Sequence, residues 1–170
     1  TAALLLRRYG LPAAPEGFLA CPQHAGLSVL HKRNRGKADA MNHASARLTT
    51  QIVVTIDADT RWSPHAIAAM RDAFARESQL TAACGVLTPH CKGGIEARFF
   101  EWFQSFEYLR AFLSRAAWMQ SNALLLVSGA FAGYLRAALI APGGWDRYSL
   151  AEDDELMPRL HRYRYARGPA

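Results

Sequence analysis

The sequence predicts an α/β domain, a mostly parallel sheet flanked by helices, and three stretches carry that prediction. Ile52, Val53, Val54 and Ile56 form a short β-branched run of the kind found in parallel strands buried on both faces. Ile67, Met70 and Phe74 then recur at helical spacing. Ala82 to Leu87 is a second strand-like run, so strand, helix and strand alternate as a β–α–β passage requires. The first strand ends in Asp57 and Asp59. Ligands of open α/β sheets bind beyond the carboxyl ends of strands. Residues two apart in an extended segment point to the same side, so both carboxylates can aim at one point. That suits a hard divalent cation, Mg or Mn, arriving with a phosphate. A turn followed by a helix cap is the plainer alternative.

A chain of 170 residues, 51% of them hydrophobic, supports one domain with a real core. The net charge of +6 fits an anionic partner without naming it. Nucleic acid, a membrane surface and a nucleotide diphosphate all qualify. Cys21, Cys84 and Cys91 are odd in number and lack a CxxC pair, which argues for a reducing compartment over a disulfide framework. Cys84, His90 and Cys91 have no fourth metal ligand at a usual spacing. No signal peptide, internal repeat or low-complexity segment is read. No apolar run approaches the ~20 residues a membrane span needs.

In chain order, Ala2 to Gly10 has the composition of the back half of a helix ended by a glycine. Leu11 to Ala25, with Pro12, Pro15, Gly17 and Pro22, is a loop with a brief extended piece at Phe18 to Ala20. Leu27 to Leu30 is a strand. His31 to Lys37 is the densest positive run, and it leads into a helix-forming stretch, Ala38 to Ala44. A basic loop at a helix start favours phosphate oxygens, although the glycine spacing of a Walker loop is missing. Lys32, Arg33 and Arg35 read as solvated charges. Lys37, held between Gly36 and the helix start, reads as functional.

Ser63 and Pro64 suit the N-cap and first position of the helix that carries Ile67, Met70 and Phe74 as core. Thr88 to Gly94 is a loop. From Glu96 to Arg115, Phe99, Trp102, Phe103, Phe106, Leu109 and Leu113 share one arc of an amphipathic helix. Packing on its own domain is the default, and a membrane interface is the sharper alternative. Ala123 to Val127 is a buried strand, followed by Ser128 to Gly133, whose small residues admit a close approach. A turn at Pro142 to Gly144 precedes Trp145. In Ser149 to Glu155, Ser149 and Glu152 fit a capping box, and acids in a first helical turn complement the dipole. The functional alternative makes one of these acids a general base. Pro158 is expected to kink or shorten this helix.

Four of these stretches occur in a telling order: Asn34 to Asn42 around Gly36-Lys37-Ala38, Thr55 to Thr60 around the two aspartates, Val127 to Phe131, and Ala151 to Leu156. Together they resemble glycosyltransferase family 2, in particular the processive membrane polysaccharide synthases of the poly-N-acetylglucosamine, hyaluronan, chitin and cellulose type. The resemblance covers nearly the whole chain. It implies a GT-A fold, an inverting mechanism, a nucleoside-diphosphate sugar as donor (a UDP-sugar is expected) and a polysaccharide or other glycan acceptor. By the same resemblance, Asp57 and Asp59 bind Mg or Mn and the donor diphosphate, Lys37 lies near the donor, and Asp153 is the catalytic base. Ser128, Gly129, Trp145 and Glu152 line the acceptor site. A base lying among other acids should have a raised proton affinity.

The aromatic helix corresponds to a segment set against the bilayer, which places the full-length protein on the cytoplasmic face of the cell membrane. The family's first nucleotide-binding strand, its Gln-x-x-Arg-Trp motif and its transmembrane helices have no counterpart here. Ala151 stands where many members have Thr. Residues 1–170 therefore read as part of a GT-A catalytic domain, a fragment of a larger synthase. The competing reading is a non-catalytic binding module, either a basic domain using His31 to Lys37 on nucleic acid or a membrane-surface fragment driven by the Phe99 to Leu113 helix. The acids at Glu152 to Glu155 speak against nucleic acid as the partner.

Overall fold

The computed structural model describes residues 7–11, 16–121, 124, 126–166 and 168, which form two compact units, 1–48 and 49–170. The expectations for Ala2 to Leu6, Pro12 and Pro15 lie outside the described residues.

In the first unit, Arg7 and Arg8 are helical and Gly10 follows at φ 62°, the left-handed conformation of a helix stop. Strands β1 (Gly17–Ala20) and β2 (Ser28–His31) pair antiparallel, with Phe18 opposite Leu30. Helix α1 (Lys37–Arg47) begins at Gly36, whose φ of 92° only glycine adopts without strain. The Asn34 side chain accepts the Gly36 N–H at 3.0 Å and shapes this entry.

The second unit is built on β3 (Ile52–Ile56), β4 (Ala82–Cys84) and β5 (Phe131–Leu135), in the spatial order β3-β5-β4. The expected β–α–β passage exists: helix α2 (Ala66–Arg76) joins β3 to β4. The sheet is not the mostly parallel one expected, because β5 lies between these two strands, antiparallel to both. Ile56 faces Phe131, and Cys84 faces Ala132. As the central strand, β5 buries Phe131, Ala132, Gly133 and Tyr134.

The strand anticipated at Ala123 to Val127 falls in part outside the described residues, and β5 follows it in the chain. Residues 122, 123 and 125 lie outside the described set, and Val127 is fully buried without strand geometry. The small residues Ala132 and Gly133 sit in the strand itself because α2 packs directly on it. A Cβ at Gly133 would fall 2.6 Å from the Met70 sulfur. Met70 is core as expected, Phe74 is half-buried, and Ile67 is exposed. Helix α2 starts later than Ser63-Pro64 suggests, with His65 at its cap; the Ser63 carbonyl accepts the Ala66 N–H at 3.1 Å.

Helix α3 (Ile95–Gln120) buries none of its residues. Helix α4 (Arg136–Ile140) and helix α5 (Glu152–Ala166) close the unit through Ala138, Leu139, Leu156, Met157 and Leu160. Pro158 neither ends α5 nor prevents it from reaching Ala166. Its missing N–H falls on an exposed position, while the neighbours at 156, 157 and 160 hold the helix down. Ser149 accepts the Ala151 N–H at 3.1 Å, in place of the expected capping box with Glu152.

Candidate functional site

The second unit brings the end of β3, the lead-in to β5 and the start of α5 to one place. The strand stops at Ile56, and Asp57 to Thr60 is a turn closed by the Thr60 N–H donating to the Asp57 carbonyl at 3.0 Å. The two aspartates thus flank a turn instead of alternating along an extended strand. Asp57 is half-buried and Asp59 exposed. The Asp57 N–H donates to the carbonyl of Ala130 at 3.1 Å, tying this turn to the Ser128–Ala130 segment.

Helix α5 reaches the same segment from the other side. Asp153 is half-buried, and its carboxylate lies directly on the backbone of Gly129. A Cβ built on Gly129 would meet Asp153 Oδ2 at 1.8 Å, its carboxyl carbon at 2.6 Å and Oδ1 at 2.9 Å. The Gly129–Ala130 step therefore carries the Asp153 carboxylate on one residue and the Asp57 amide on the next.

The four successive acids divide their tasks. Glu155 is engaged by Arg159 through a two-point contact, with Nε at 2.8 Å from Oε1 and Nη2 against Oε2. Arg159 also donates to the Pro142 carbonyl at 2.9 Å and so fastens the turn before Trp145. Asp154 is exposed, and Glu152 and Asp153 are half-buried.

Tyr134 is nearly fully buried beneath them, in T-shaped contact with Trp145 at 5.5 Å between ring centroids. Burial holds its phenol far above the usual value; the negative charge of Asp153 and the nearby Cys84 add to this, and Trp145 offsets part of it. The proximity of Tyr134 to Asp153 and Glu152 has no signal in the sequence. Trp145 is 2% exposed, its ring packed edge-on against Tyr134.

Within the first unit, Lys37 is exposed at the first position of α1. Lys32, read as a solvated charge, instead pairs with Asp39, which is 1% exposed. A carboxylate buried that deeply requires a cation. Arg33 and Arg35 are exposed as expected, yet they line a cleft of about 480 Å³ with Phe18, His31, Lys32 and His43. Arg47 lies over the Phe18 ring at 4.6 Å, across the same cleft. The result is a concave, basic surface with an aromatic wall, a shape suited to an anion with a flat ring.

Among the described residues, no three His, Cys, Asp or Glu side chains gather closely enough to hold a metal. Asp57 and Asp59 can offer a cation carboxylate oxygens from one turn. Such a donor set fits Mg or Mn, which keep several waters and take further oxygens from phosphate. Among the described residues, no helix is long and apolar enough to cross a membrane.

Poly-beta-1,6-N-acetyl-D-glucosamine synthase of Staphylococcus epidermidis is 28% identical over 133 residues, covering 78% of this chain and 31% of that protein. The synthase of the same name from Staphylococcus aureus strain COL is 28% identical over 132 residues, covering 76% of this chain and 31% of its own length. The chain thus spans about a third of the length of the curated relatives it matches. No solved structure gives a significant match. The model of the family described as glycosyl transferase family 2 matches residues 19–141, from β1 through α4. With well over half of its length inside that match, the chain belongs to glycosyl transferase family 2 and carries its α/β GT-A fold.

Proposed function

We propose that the chain is the catalytic core of an inverting glycosyltransferase, which moves a sugar from a nucleoside-diphosphate sugar to a hydroxyl of a growing polysaccharide. The observation that carries this reading is the meeting of Asp153 and Asp57 on the Gly129–Ala130 step. In this reading Asp153 accepts the proton of the acceptor hydroxyl as its oxygen attacks the anomeric carbon. Gly129 and Ser128 form the floor beside it, and Glu152 lies at the rim. Trp145 contributes by fixing Tyr134 from behind. Asp57 and Asp59 would hold Mg or Mn, which when bound supplies positive charge to the departing diphosphate. By the family resemblance, Lys37, exposed at the start of α1, would lie near the donor. The basic cleft of the first unit suits the nucleotide part of a donor, with UDP as its simplest form. The similarity to poly-beta-1,6-N-acetyl-D-glucosamine synthases makes an N-acetylglucosamine donor the first to try.

Two substitutions in the full-length enzyme test this, with incorporation of labelled sugar as the readout. Asp153→Asn keeps the shape and removes the base, and is expected to lower kcat by about 10²–10⁴. Asp57→Ala is expected to abolish metal-dependent turnover. Normal turnover in either variant would sink the assignment.

A second reading concerns location, and one observation favours it. The aromatic arc of α3 faces outward: Phe99, Trp102, Phe103 and Phe106 are each more than half exposed. Its polar side is the engaged one, where Glu101 accepts the Cys91 N–H at 2.9 Å. We infer that α3 lies in a membrane interface, on the cytoplasmic face of the cell membrane in the full-length protein. Co-sedimentation with anionic vesicles should be lost in Phe103→Glu. Equal binding of both forms would rule the interface out.

A further inference from the structure

We infer that Gly129 is a positioning residue for Asp153: the missing side chain at 129 is what seats the carboxylate at the end of the sheet. The catalytic consequence rests on the reading of Asp153 as the base, whereas the contact itself stands on geometry alone.

Glycine is needed in a chain either for its backbone freedom or for the space it leaves. Gly129 is not among the glycines with positive φ, so its backbone can be adopted by any residue. The space is a different matter. All three carboxyl atoms of Asp153 lie within 2.9 Å of where a Cβ would be, closer than real Cβ contacts come. The other two glycines packed this tightly in the sheet region serve apolar neighbours: Gly85 receives the Phe131 ring, and Gly133 receives Met70. Gly129 alone of the three receives a charge.

The helix that carries Asp153 is held in place. Asp153 stands in the first turn of α5, and Leu156, Met157 and Leu160 anchor that helix with 5% exposure or less. A methyl at 129 must therefore turn the carboxylate to another rotamer or lift the helix start. Either response moves the proton-accepting oxygens away from the segment that also holds the Asp57 amide. This assigns Gly129 a different task from lining the acceptor.

The test is Gly129→Ala in the full-length enzyme, alone and combined with Asp153→Ala. The inference expects kcat to fall by about a hundredfold, the effect of displacing a catalytic group by about 1 Å, with the acceptor KM nearly unchanged. It also expects a lowered Tm that recovers when Asp153→Ala removes the atoms in the way. If Gly129→Ala alone fails to fold, recovery of folding in the double variant supports the inference, and failure to recover overturns it. A Tm loss that persists undiminished in the Asp153→Ala background overturns it, as does a raised acceptor KM at unchanged kcat. Recovery in the double variant combined with normal turnover of Asp153→Asn would leave the positioning contact standing and remove the catalytic reading instead.

Discussion

Helices α5 and α3 both carry an apolar face in a polar sequence, and they use it in opposite ways. In α5, Leu156, Met157 and Leu160 turn inward, are at most 5% exposed, and fix the first turn against the sheet. In α3, twenty-six residues long, none is buried, and the large aromatics point outward while the polar side rests on the Thr88 to Gly94 loop through Glu101. If α5 holds the proposed base, it must be rigid to a fraction of an ångström, which close packing provides. If α3 meets the proposed membrane interface, it must keep its apolar face available. Amphipathicity is the same signal in both cases, and the destination of the apolar face separates them.

The comparison can be broken most readily with a matched pair of leucines. Leu160→Ala, at 1% exposure, should cost about 2–5 kcal/mol of folding stability. Leu113→Ala, at 58% exposure, should stay within about 0.5 kcal/mol. Denaturant unfolding of both variants decides the matter, and equal losses would mean that α3 is packed after all.

Gly133→Ala probes the sheet side of the same comparison. A methyl there has no space beside Met70 and Phe74, and overpacking should cost about 1–3 kcal/mol. The same change at Gly94, where a Cβ meets nothing within 4 Å, should cost far less.

A smaller effect is confined to alkaline pH. Burial, with Asp153 next in weight, keeps Tyr134 protonated in the folded state well beyond its ordinary range. Below about pH 10 the folded and unfolded states both hold the proton, and the residue contributes no slope. Above that, the unfolded chain ionises first and stability falls as pH rises. Tyr134→Phe should flatten this alkaline decline, measured as Tm against pH between neutrality and pH values above 10. An unchanged slope would place the titrating group elsewhere. The mildest expectation is Phe103→Glu, which alters vesicle binding while leaving stability within about 0.5 kcal/mol.

Much of the local architecture was legible in the residues. The β-branched run at Ile52 to Ile56 became β3, the basic run led into a helix at Lys37, and the acidic stretch opened a helix at Glu152. Periodicity and propensity act over a few residues, so they report such elements well. They misled where partners are distant. Lys32 was read as solvated because nothing local shows that Asp39 will be buried beside it. Nothing local announces the strand at Phe131–Leu135, which is held by pairing with β3 and β4, distant in the chain.

The sequence by itself determined β3, helices α1, α2, α3 and α5, the order of the family's motifs, and the presence of aspartates at a strand end. Tertiary structure alone decided that β5 runs antiparallel between β3 and β4, that the aromatic arc of α3 turns outward, and that Gly129 leaves its space to Asp153. The reason is separation along the chain. Ile56 meets Phe131, and Gly129 meets Asp153, only after the backbone has closed long loops. No local pattern encodes what a side chain will find at the far end of such a closure.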